Sequence, residues 1–526
     1  MKINSVQIHN FRSIQDATIS LRDYSIIVGE NNVGKSNIID AIRCFYGDIR
    51  YEEQDKPVFV RKAQPDAWIE IEYSLEDNEY QRLDKKYKIN PNTLRVRKDL
   101  QTGTFHGYTT QGLSKQLFYN ERSQKPKCLG SIIYVPAVLD VKESTKLTGA
   151  SALNGLASVI CQQPNFASQF EEHIGQFVKQ MNTVFAPQFH KVNAIINGDI
   201  KSTGVHVNIG PRRKIAASDM LKLLISMSVM EHSECMDLSQ IGTGVQRRII
   251  ASLIKTSVTH TYKISKRQNA REQQEQMTDV AQRTRKTFMP KMSMLLFEEP
   301  EVSLHPAAVT DLAYNLRQFA GMKNQQVLAT THSSQLISED IRDINSLIRV
   351  EKPKNRTLVF QNTIPDADLL PINNTVYFDR PRSDMFFANK VILVEGPTEY
   401  KLYQYLRMRG DIPEDMARRA TLIETVGKWS MPYFIRILNS LNVRYSVLYD
   451  ADGDPNSLRN QDVKNQFTDL LDYSYAFPKD IEDFCGIRKQ NNHVIGIIRS
   501  FEDGTVPADK QAAVVQIYKD LLTKHK

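Results

Sequence analysis

The first fifty residues alternate short apolar runs with polar breaks, in an order that predicts strands followed by a helix. Apolar residues between Ile3 and Ile8 have the spacing of a strand, and the β-branched run Tyr24–Val28 predicts a short buried strand. A glycine-rich break follows this run. We expect a helix from about Lys35, because the isoleucines that come after it recur on one helical face.

Short apolar runs later in the chain predict further strands. They are Trp68–Tyr73, Ser131–Val135, Met294–Phe297, Lys390–Val394 and Arg444–Tyr449. The first of them alternates apolar and acidic residues, which favours a half-buried strand, whereas the others favour buried strands. Buried strands that alternate with helical patterns predict an α/β fold with a parallel sheet.

The chain also divides into regions of different character. Apolar residues at helical spacing over 148–185 predict an inserted helical element, with dimerisation as one use for it. The polar and basic stretch 262–290 predicts a solvent-facing insertion, or alternatively a basic contact to DNA. The strand-and-helix pattern restarts near residue 385. We therefore place one domain at 1–380 and a second at 381–526.

Composition limits the class of protein without selecting a function. The 526 residues suffice for two or three domains, with 41% hydrophobic and 24% charged residues as in ordinary globular proteins. No apolar run approaches the roughly 18 residues that cross a membrane, so we expect a cytosolic protein. Five scattered cysteines without CxxC spacing argue against a zinc site or a disulfide framework. The net charge of +8 permits nucleic-acid binding and equally suits a solvated surface.

The glycine-rich segment after Tyr24–Val28 is the first part of the chain that predicts a binding function. Residues Gly29–Ser36 read GENNVGKS, which fits the phosphate-binding pattern G-x-x-x-x-G-K-[ST]. Its glycines let backbone N–H groups turn toward phosphate oxygens, Lys35 would reach the β and γ phosphates, and the Ser36 hydroxyl would bind Mg²⁺. A glycine-rich turn that binds nothing is the alternative, which the strand before it and the helix after it disfavour. We place these residues at an ATP molecule: Gly29, Asn31, Asn32, Gly34, Lys35, Ser36 and Asn37.

Two acidic residues follow directly after the apolar run Met294–Phe297. Glu298 and Glu299 would lie at the carboxyl end of a buried strand, and Mg²⁺ prefers such hard oxygen ligands. We assign Glu298 to the metal ion and Glu299 to polarising the attacking water. Taken alone, a strand end capped by solvated acids is the commoner case.

The phosphate-binding loop followed later in the chain by the paired acids resembles the ABC-type ATPase heads of the RecF, SMC and OLD (overcoming lysogenisation defect) group. Asn10–Ser13 is similar to the start of that group, and Leu238–Arg247 is similar to the ABC signature, with Val245 where a second glycine is usual. The resemblance implies that residues 301–306 form the D-loop and that His332 is the switch histidine.

The same resemblance implies that nucleotide is held between two copies of the head. In this group the signature of one subunit covers the ATP bound by the other, so we expect a homodimer or a higher homo-oligomer. Hydroxyls and backbone N–H groups at the start of the signature helix would contact the γ phosphate. The resemblance adds these residues to the ATP contacts: Arg12, Thr243, Gly244 and Gln246.

Acids also follow two of the C-terminal buried strands. Glu395 comes directly after Lys390–Val394, and Asp450 and Asp452 follow the strand at 444–449. The carboxyl ends of parallel strands meet at one sheet edge, where clustered carboxylates repel each other unless cations neutralise them. We therefore expect divalent metal, since two metal ions can activate a water and stabilise the leaving oxygen of a phosphodiester. A calcium-like or merely solvated acidic turn at Asp450–Asp454 is the alternative.

This arrangement resembles a TOPRIM domain, the fold shared by topoisomerases, bacterial primases and OLD nucleases. The resemblance implies that Glu399 is a second acid, that Glu482 is a further metal ligand, and that a basic residue near the C-terminus, for which Lys510 is the candidate, takes part in catalysis. Gly427-Lys428 is a candidate glycine loop near the site. The metal, Mg²⁺ or Mn²⁺, would be held by these acids: Glu395, Glu399, Asp450, Asp452 and Glu482.

An ABC-type head followed by TOPRIM in one chain is the arrangement of the OLD family, which the chain resembles over almost its whole length. The resemblance implies an ATP-hydrolysing, metal-dependent DNA endonuclease of bacterial anti-phage defence, with a helicase or another defence-system protein as a candidate partner. The alternative is a sensor or scaffold ATPase whose TOPRIM domain binds a partner or nucleic acid without cutting. A topoisomerase would need an active tyrosine on another domain, and a primase would need polymerising machinery; the sequence shows room for neither.

Overall fold

The structure is a computed structural model that describes residues 1–57, 66–120, 127–137, 292–302, 304–337, 341–365, 380–488 and 493–525, together with Phe59, Ala367 and short stretches between 172 and 249. The chain forms two compact units. The larger comprises Met1–Val135, Thr287–Glu301 and Pro306–Lys526, and the smaller comprises Pro136–Lys286 and Val302–His305.

The regular elements of the described chain are numbered in chain order. The strands are Lys2–Phe11 (β1), Ile14–Ser20 (β2), Tyr24–Val28 (β3), Trp68–Ser74 (β4), Thr93–Asp99 (β5), Phe105–Thr109 (β6), Gly112–Leu117 (β7), Ser131–Val135 (β8), Val229–Glu231 (β9), Glu234–Met236 (β10), Ser293–Glu298 (β11), Gln325–Thr330 (β12), Leu347–Glu351 (β13), Leu358–Gln361 (β14), Lys390–Val394 (β15), Thr421–Glu424 (β16), Arg444–Asp450 (β17) and Leu471–Phe477 (β18). The helices are Lys35–Tyr46 (α1), Asp77–Arg82 (α2), Pro306–Ala320 (α3), Arg380–Ser383 (α4), Pro397–Arg409 (α5), Glu414–Ala417 (α6), Met431–Ser440 (α7), Leu458–Lys464 (α8), Ile481–Phe484 (α9), His493–Glu502 (α10) and Ala508–Thr523 (α11).

Three sheets organise the described part of the larger unit. An antiparallel sheet has the strand order β2-β1-β4-β5-β6-β7. A second sheet has the order β14-β13-β3-β12-β11-β8 and is parallel except for β14. A third sheet, β16-β15-β17-β18, is parallel throughout. In the smaller unit, β9 and β10 pair as an antiparallel hairpin.

Helix α1 packs against the antiparallel sheet and against the second sheet. Ile38, Ile39 and Ile42 are fully buried in a cluster that includes side chains of β1, β4 and β11. Burying one such side chain contributes about 1.5–3 kcal/mol, so the apolar face of α1 fixes the helix that leaves the phosphate-binding loop. The expected amphipathic helix after Gly29–Ser36 is thereby confirmed.

The second sheet brings separate sequence motifs to one edge. Its strands β3, β12 and β11 are adjacent and parallel, so their carboxyl ends lie side by side. The loop Gly29–Ser36 follows β3, His332 follows β12, and Glu298 ends β11. In the third sheet β15 lies between β16 and β17, so the chain turns to opposite sides of β15 and leaves a crevice at the carboxyl edge.

The predicted fold class is confirmed, and several predicted strands have the expected bounds. Tyr24–Val28, Ser131–Val135 and Lys390–Val394 coincide with β3, β8 and β15. Of the helical element predicted at 148–185, only isolated helical positions from 172 to 184 are described, and the basic stretch 262–290 lies outside the described residues. Within the described chain, no helix combines the length and apolar character needed to span a membrane.

Candidate functional sites

The loop Gly29–Ser36 adopts a backbone conformation that requires its glycines. Gly29 and Gly34 have φ values of +147° and +107°, which L side chains rarely adopt. A Cβ atom on Gly34 would lie 2.3 Å from Thr357 Oγ1, and one on Gly29 would lie 2.4 Å from the carbonyl oxygen of Val350. The close approach of these neighbours therefore excludes side chains at both glycines.

Lys35 is buried at the start of α1, and its ammonium folds back onto the loop. Its Nζ donates to the carbonyl oxygens of Gly29 and Glu30, at 3.0 and 2.8 Å, and lies 2.8 Å from His332 Nε2. Burial lowers the pKa of Lys35, although nearby glutamates oppose the shift. A nucleotide phosphate would offer this ammonium a stronger, charged acceptor than the two carbonyls.

His332 and the acids of the neighbouring strand form one polar group. His332 Nε2 lies 3.6 Å from Glu299 Oε1, and the His332 backbone N–H donates to Glu301 Oε1 at 2.6 Å. Burial and the positive charge of Lys35 lower the pKa of His332, so the neutral imidazole dominates at pH 7. A neutral ring can accept a hydrogen bond from the Lys35 ammonium.

The two adjacent acids have different surroundings. Glu298 accepts a hydrogen bond from the Tyr134 hydroxyl at 2.8 Å. Glu299 has a left-handed φ of +42°, and its N–H donates to the Thr330 carbonyl oxygen at 3.0 Å. Strained backbone of this kind is found where a side chain must be aimed. The structure thus directs Glu299 toward His332 and Glu298 toward β8, although their assigned roles stay predictions.

Arg12 and Asn37, both predicted to contact ATP, belong to one hydrogen-bond network. The Arg12 guanidinium donates to Asp55 at 2.7 Å, to Asp40 at 2.5 Å and to Asn37 Oδ1 at 3.3 Å. Asn37 Nδ2 in turn donates to Ser13 Oγ at 2.6 Å. The network joins the end of β1 to α1. Three further predicted contacts, Asn31, Asn32 and Ser36, are exposed on the loop, whereas Thr243, Gly244 and Gln246 lie outside the described residues.

Thr357 is a loop-supporting residue that sequence reasoning missed. It is buried, and its Oγ1 donates to the Val33 carbonyl oxygen at 2.8 Å and lies 2.6 Å from Ser13 Oγ. The Thr357 N–H also donates to the Ser13 carbonyl oxygen at 2.8 Å. Nothing in the sequence marks this threonine, because its role depends on β13 lying beside β3.

The second candidate site lies at the carboxyl edge of the third sheet. Glu395 follows β15, and Asp450 ends the neighbouring strand β17. Glu395 Oε2 accepts a hydrogen bond from the Asp450 backbone N–H at 3.0 Å. The topology therefore brings these two predicted acids into direct contact at the crevice beside β15.

Two further predicted acids are buried beside them. Glu399 and Glu482 are each only 4% exposed. Glu399 Oε2 accepts the N–H of Gly396 at 3.0 Å, which caps the start of α5. Burial raises the pKa of Glu399 to about 7, and the negative charges of Glu395 and Glu482 add to this shift. The carboxylates of Glu395 and Glu482 therefore lie near enough to act on Glu399.

Asp450 is the most perturbed member of this acid cluster. Burial, reinforced by the charges of Glu399 and Glu395, raises the pKa of Asp450 to about 9. Its Oδ1 atom is buried and has no hydrogen-bond partner. Buried polar atoms are normally satisfied, so an unpartnered carboxylate oxygen among other acids favours a cation at this position.

Two lysines lie on elements that neighbour the acid cluster. Lys428 forms an ion pair with Asp452. Lys510, the predicted basic residue near the C-terminus, has its Nζ 4.7 Å from the centre of the Phe484 ring. Phe484 lies on α9, the helix that also carries Glu482. Lys428 thus contacts a predicted metal ligand, whereas the part assigned to Lys510 stays a prediction.

The carboxylate oxygens of this site suit a divalent metal ion, but in the described positions these side chains do not converge on one point. Within the described chain, no three His, Cys, Asp or Glu side chains already converge to hold a metal ion. Glu395 is turned onto the Asp450 N–H, and Asp452 onto Lys428. Hard carboxylate oxygens, one of them buried without a partner, suit Mg²⁺ or Mn²⁺ once these two side chains rotate.

Gly34→Ala should destabilise the protein and abolish ATP binding. A left-handed alanine costs about 1–2 kcal/mol, and the new methyl group would also collide with Thr357. Gly103→Ala is the matched control, because Gly103 also has a positive φ, +70°, but has no atom within 4 Å of the added Cβ. Thermal unfolding and binding of a fluorescent ATP analogue measure the two effects. Near-normal ATP affinity in Gly34→Ala would contradict this reading of the loop.

Asp450→Asn should raise the melting temperature of the metal-free protein, increasingly so at higher pH. The folded state retains a proton on Asp450 up to a pKa of about 9, whereas the unfolded chain releases it near 3.8. Wild-type stability therefore falls as pH rises between these values, and asparagine removes this dependence. We expect an advantage of about 2–4 °C at pH 8 and almost none at pH 4.

Scanning calorimetry with a chelator present tests this expectation. Asp454→Asn is the control, because Asp454 is exposed on the turn that follows the same strand. A lower melting temperature for Asp450→Asn at pH 8 would show that Asp450 is ionised and already neutralised in the metal-free protein.

Comparisons with known proteins identify two domains, which contain the two candidate sites. A family model described as AAA ATPase domain matches residues 1–127 and 69–337. A model described as overcoming lysogenization defect protein-like, TOPRIM domain, matches residues 386–452. The second match includes Glu395, Glu399, Asp450 and Asp452.

Three relatives align with most of the chain. The Old nuclease of Escherichia phage P2 is 22% identical over 580 aligned positions, covering 98% of this chain and 93% of that protein. Endonuclease GajA of Bacillus cereus (strain VD045) is 22% identical, covering 86% and 75%. The OLD nuclease of Thermus scotoductus (strain ATCC 700910 / SA-01) is 20% identical, covering 88% and 86%.

Solved structures similar to the chain include SMC heads. The SMC head bound to the C-winged helix domain of ScpA is 14% identical, with a TM-score of 0.36 and coverage of 70% of this chain and 99% of that one. The SMC head domain from Thermotoga maritima is 12% identical, with a TM-score of 0.31 and coverage of 69% and 100%. The chain thus belongs to the AAA ATPase domain family over its first 337 residues, and at residues 386–452 it matches the TOPRIM domain of overcoming lysogenization defect-like proteins.

Proposed function

We propose that this protein is an ATP-hydrolysing, metal-dependent DNA endonuclease in which the ATPase head controls the TOPRIM site. The observation that carries the proposal is the buried acid cluster around Asp450, whose Oδ1 atom has no partner. Such a cluster is costly to keep unless it binds cations that the reaction needs. This argues against the alternative of a sensor ATPase whose TOPRIM domain binds a partner or nucleic acid without cutting.

In the ATPase head, Lys35 would leave the carbonyls of Gly29 and Glu30 and pair with the nucleotide phosphates. Ser36 and Glu298 would hold Mg²⁺, which supplies charge neutralisation at the phosphates when bound. Glu299 would orient the attacking water, and neutral His332 beside it would accept or donate a hydrogen bond as the γ phosphate departs.

In the TOPRIM site, the chain supplies acidic ligands at the edge of a sheet. The residues that would hold Mg²⁺ or Mn²⁺ are Glu395, Glu399, Asp450, Asp452 and Glu482. When bound, the metal supplies a water of lowered pKa and charge neutralisation at the phosphodiester. In its absence Asp450 holds a proton at pH 7 and Glu399, with a pKa of about 7, holds one part of the time, so metal binding would release protons and tighten as pH rises.

A buried arginine offers a physical connection between the two sites. Arg349 lies on β13 opposite Val28, the last residue before the phosphate-binding loop, and is 2% exposed. Its guanidinium donates to the carbonyl oxygens of Ala388, Leu441 and Asn442 at 3.1, 3.1 and 3.2 Å. These carbonyls precede β15 and β17, the strands that end at Glu395 and Asp450. Arg349 thus ties the strand beside the ATP loop to both acid-bearing strands.

A second contact joins the ATP loop itself to the same region. The Asn389 amide donates to the Glu30 carboxylate, and Asn389 directly precedes β15. ATP binding would draw the Lys35 ammonium away from the Glu30 carbonyl and so alter this loop. A shift of the loop or of β13 would then move β15 and β17 and change access of DNA to the acids.

The wider setting also forms part of the proposal. We place a domain boundary near residue 380, since the second and third sheets share no strand. We expect two heads to enclose two ATP molecules in a homodimer or higher homo-oligomer, and the substrate to be DNA. A role in bacterial anti-phage defence, with a helicase or another defence-system protein as partner, follows from the OLD-family resemblance.

Single substitutions should separate the two activities. Lys35→Ala should abolish ATP hydrolysis, because the loop loses the charge that meets the phosphates. Asp450→Ala or Glu395→Ala should reduce cleavage of supercoiled plasmid by about 100-fold or more with ATP hydrolysis intact. The assays are run with Mg²⁺, with Mn²⁺ and with a chelator, on linear, nicked and supercoiled DNA, with and without ATP. Equal cleavage by wild type and Asp450→Ala would refute the site assignment and favour a non-cutting role.

Breaking the Arg349 contact should uncouple ATP from cleavage. Arg349→Met leaves three carbonyls without their donor, so we expect lower stability, near-normal ATP hydrolysis and loss of the ATP effect on cleavage. Asn389→Ala is a milder variant of the same interface and should weaken the ATP effect without much destabilisation. Arg356→Met, at an exposed position after β13, is the control. A full ATP response in both Arg349→Met and Asn389→Ala would contradict this route.

A further inference from the structure

A turn beside the TOPRIM acids carries a lysine for which the proposed chemistry has no role so far. Lys428 follows β16 and is 4% exposed, yet its ammonium forms an ion pair with Asp452, whose side chain is 65% exposed. Buried lysines require a charged or polar partner. The partner here is one of the expected metal ligands.

The turn is built to hold Lys428 in this place. Val426 and Gly427 have left-handed φ values of +59° and +101°. The Gly427 N–H donates to the Glu395 carbonyl oxygen at 2.7 Å, and Ser430 Oγ donates to the Gly427 carbonyl oxygen at 2.9 Å. The backbone next to Lys428 is therefore anchored to the residue that carries a second expected ligand.

The ammonium acts on more than one acid. Burial raises the pKa of Glu395, and the positive charge of Lys428 opposes that rise. Lys428 therefore supplies part of the positive charge that the acid cluster needs in the absence of metal. The exposed Asp452 side chain can rotate away from Lys428, which is buried on an anchored turn.

We propose that Lys428 is an internal cation of the TOPRIM site, which neutralises Asp452 until a divalent metal ion takes that carboxylate, and which then binds a phosphate oxygen of DNA. This rests on the proposed nuclease function. A metal ion at Asp452 and the nearby ammonium repel each other, so they compete for this carboxylate. A phosphodiester then brings the negative charge with which the freed ammonium can pair.

Because Lys428 and the metal ion compete for Asp452, the proposal predicts the direction in which metal affinity changes when the lysine is replaced. Replacing Lys428 by a neutral residue removes a rival for Asp452 and leaves the site more negative, so metal should bind more tightly. A lysine that merely supported the fold of the site would have the opposite effect when removed, because the acids would lose their arrangement.

Isothermal titration of the full chain with Mn²⁺, without nucleotide or DNA, measures this effect. Lys428→Met and Lys428→Gln should each bind Mn²⁺ about two- to fivefold more tightly than wild type. Lys428→Arg keeps the charge and should stay close to wild type. Lys479→Met is the matched control, because Lys479 is 62% exposed, pairs with Asp483 and follows the next strand. Its Mn²⁺ affinity should change by less than about twofold.

Outcomes for this inference and for the proposed function are distinct. Weaker or unchanged Mn²⁺ binding in both Lys428→Met and Lys428→Gln would overturn the counter-ion role. Asp450→Asn identifies the TOPRIM component of the titration, because it should lose that component. A wild-type chain with no such component would refute the proposed metal site itself, and the inference with it.

DNA binding tests the second half of the proposal. Anisotropy of a labelled oligonucleotide is measured in Ca²⁺ at several salt concentrations, with a gel to verify that the DNA stays intact. Loss of one phosphate contact in Lys428→Met should reduce the slope of log affinity against log salt by about 1. An unchanged slope would show that Lys428 does not contact DNA phosphate.

Discussion

Parallel strands deliver their carboxyl-terminal loops to one edge of a sheet, and both candidate sites depend on this constraint. In the ATPase head it places the glycine loop, His332 and Glu299 side by side. In the TOPRIM sheet it places Glu395 against Asp450. Groups brought together in this way must balance their charges locally, because burial removes them from water.

The two sites balance those charges in related ways. At the ATP loop a buried ammonium, Lys35, contacts backbone carbonyls and His332, which nucleotide phosphates would replace. At the carboxyl edge of the third sheet a buried ammonium, that of Lys428, pairs with Asp452, which a metal ion would bind in its place. In each case the proposed ligand would change the partners of a buried lysine, so binding would be an exchange of partners. Arg349 lies between the sites and connects their strands through backbone carbonyls.

The sequence was sufficient to predict which polar residues lie at strand ends, because that placement depends on local order. Gly29–Ser36, Glu298-Glu299, Glu395 and Asp450 stand directly after apolar runs, and a strand end followed by such residues is visible in one dimension. Thr357, Arg349 and Lys428 could not be assigned roles in this way. Thr357 supports a loop more than 300 positions away in the sequence, because β13 happens to lie beside β3. Arg349 and Lys428 likewise act on residues that only the packing of strands brings near.

The central claim is that the TOPRIM acids hold a divalent metal ion that displaces Lys428 from Asp452. Its most direct test is a crystal structure of the protein with Mn²⁺, with anomalous diffraction used to locate the ion. The account predicts an anomalous peak bounded by Glu395, Asp450 and Asp452, with the Asp452 carboxylate turned away from Lys428. A protein saturated with Mn²⁺ that shows no peak at these acids, or that keeps the Lys428–Asp452 ion pair beside the metal, would contradict it.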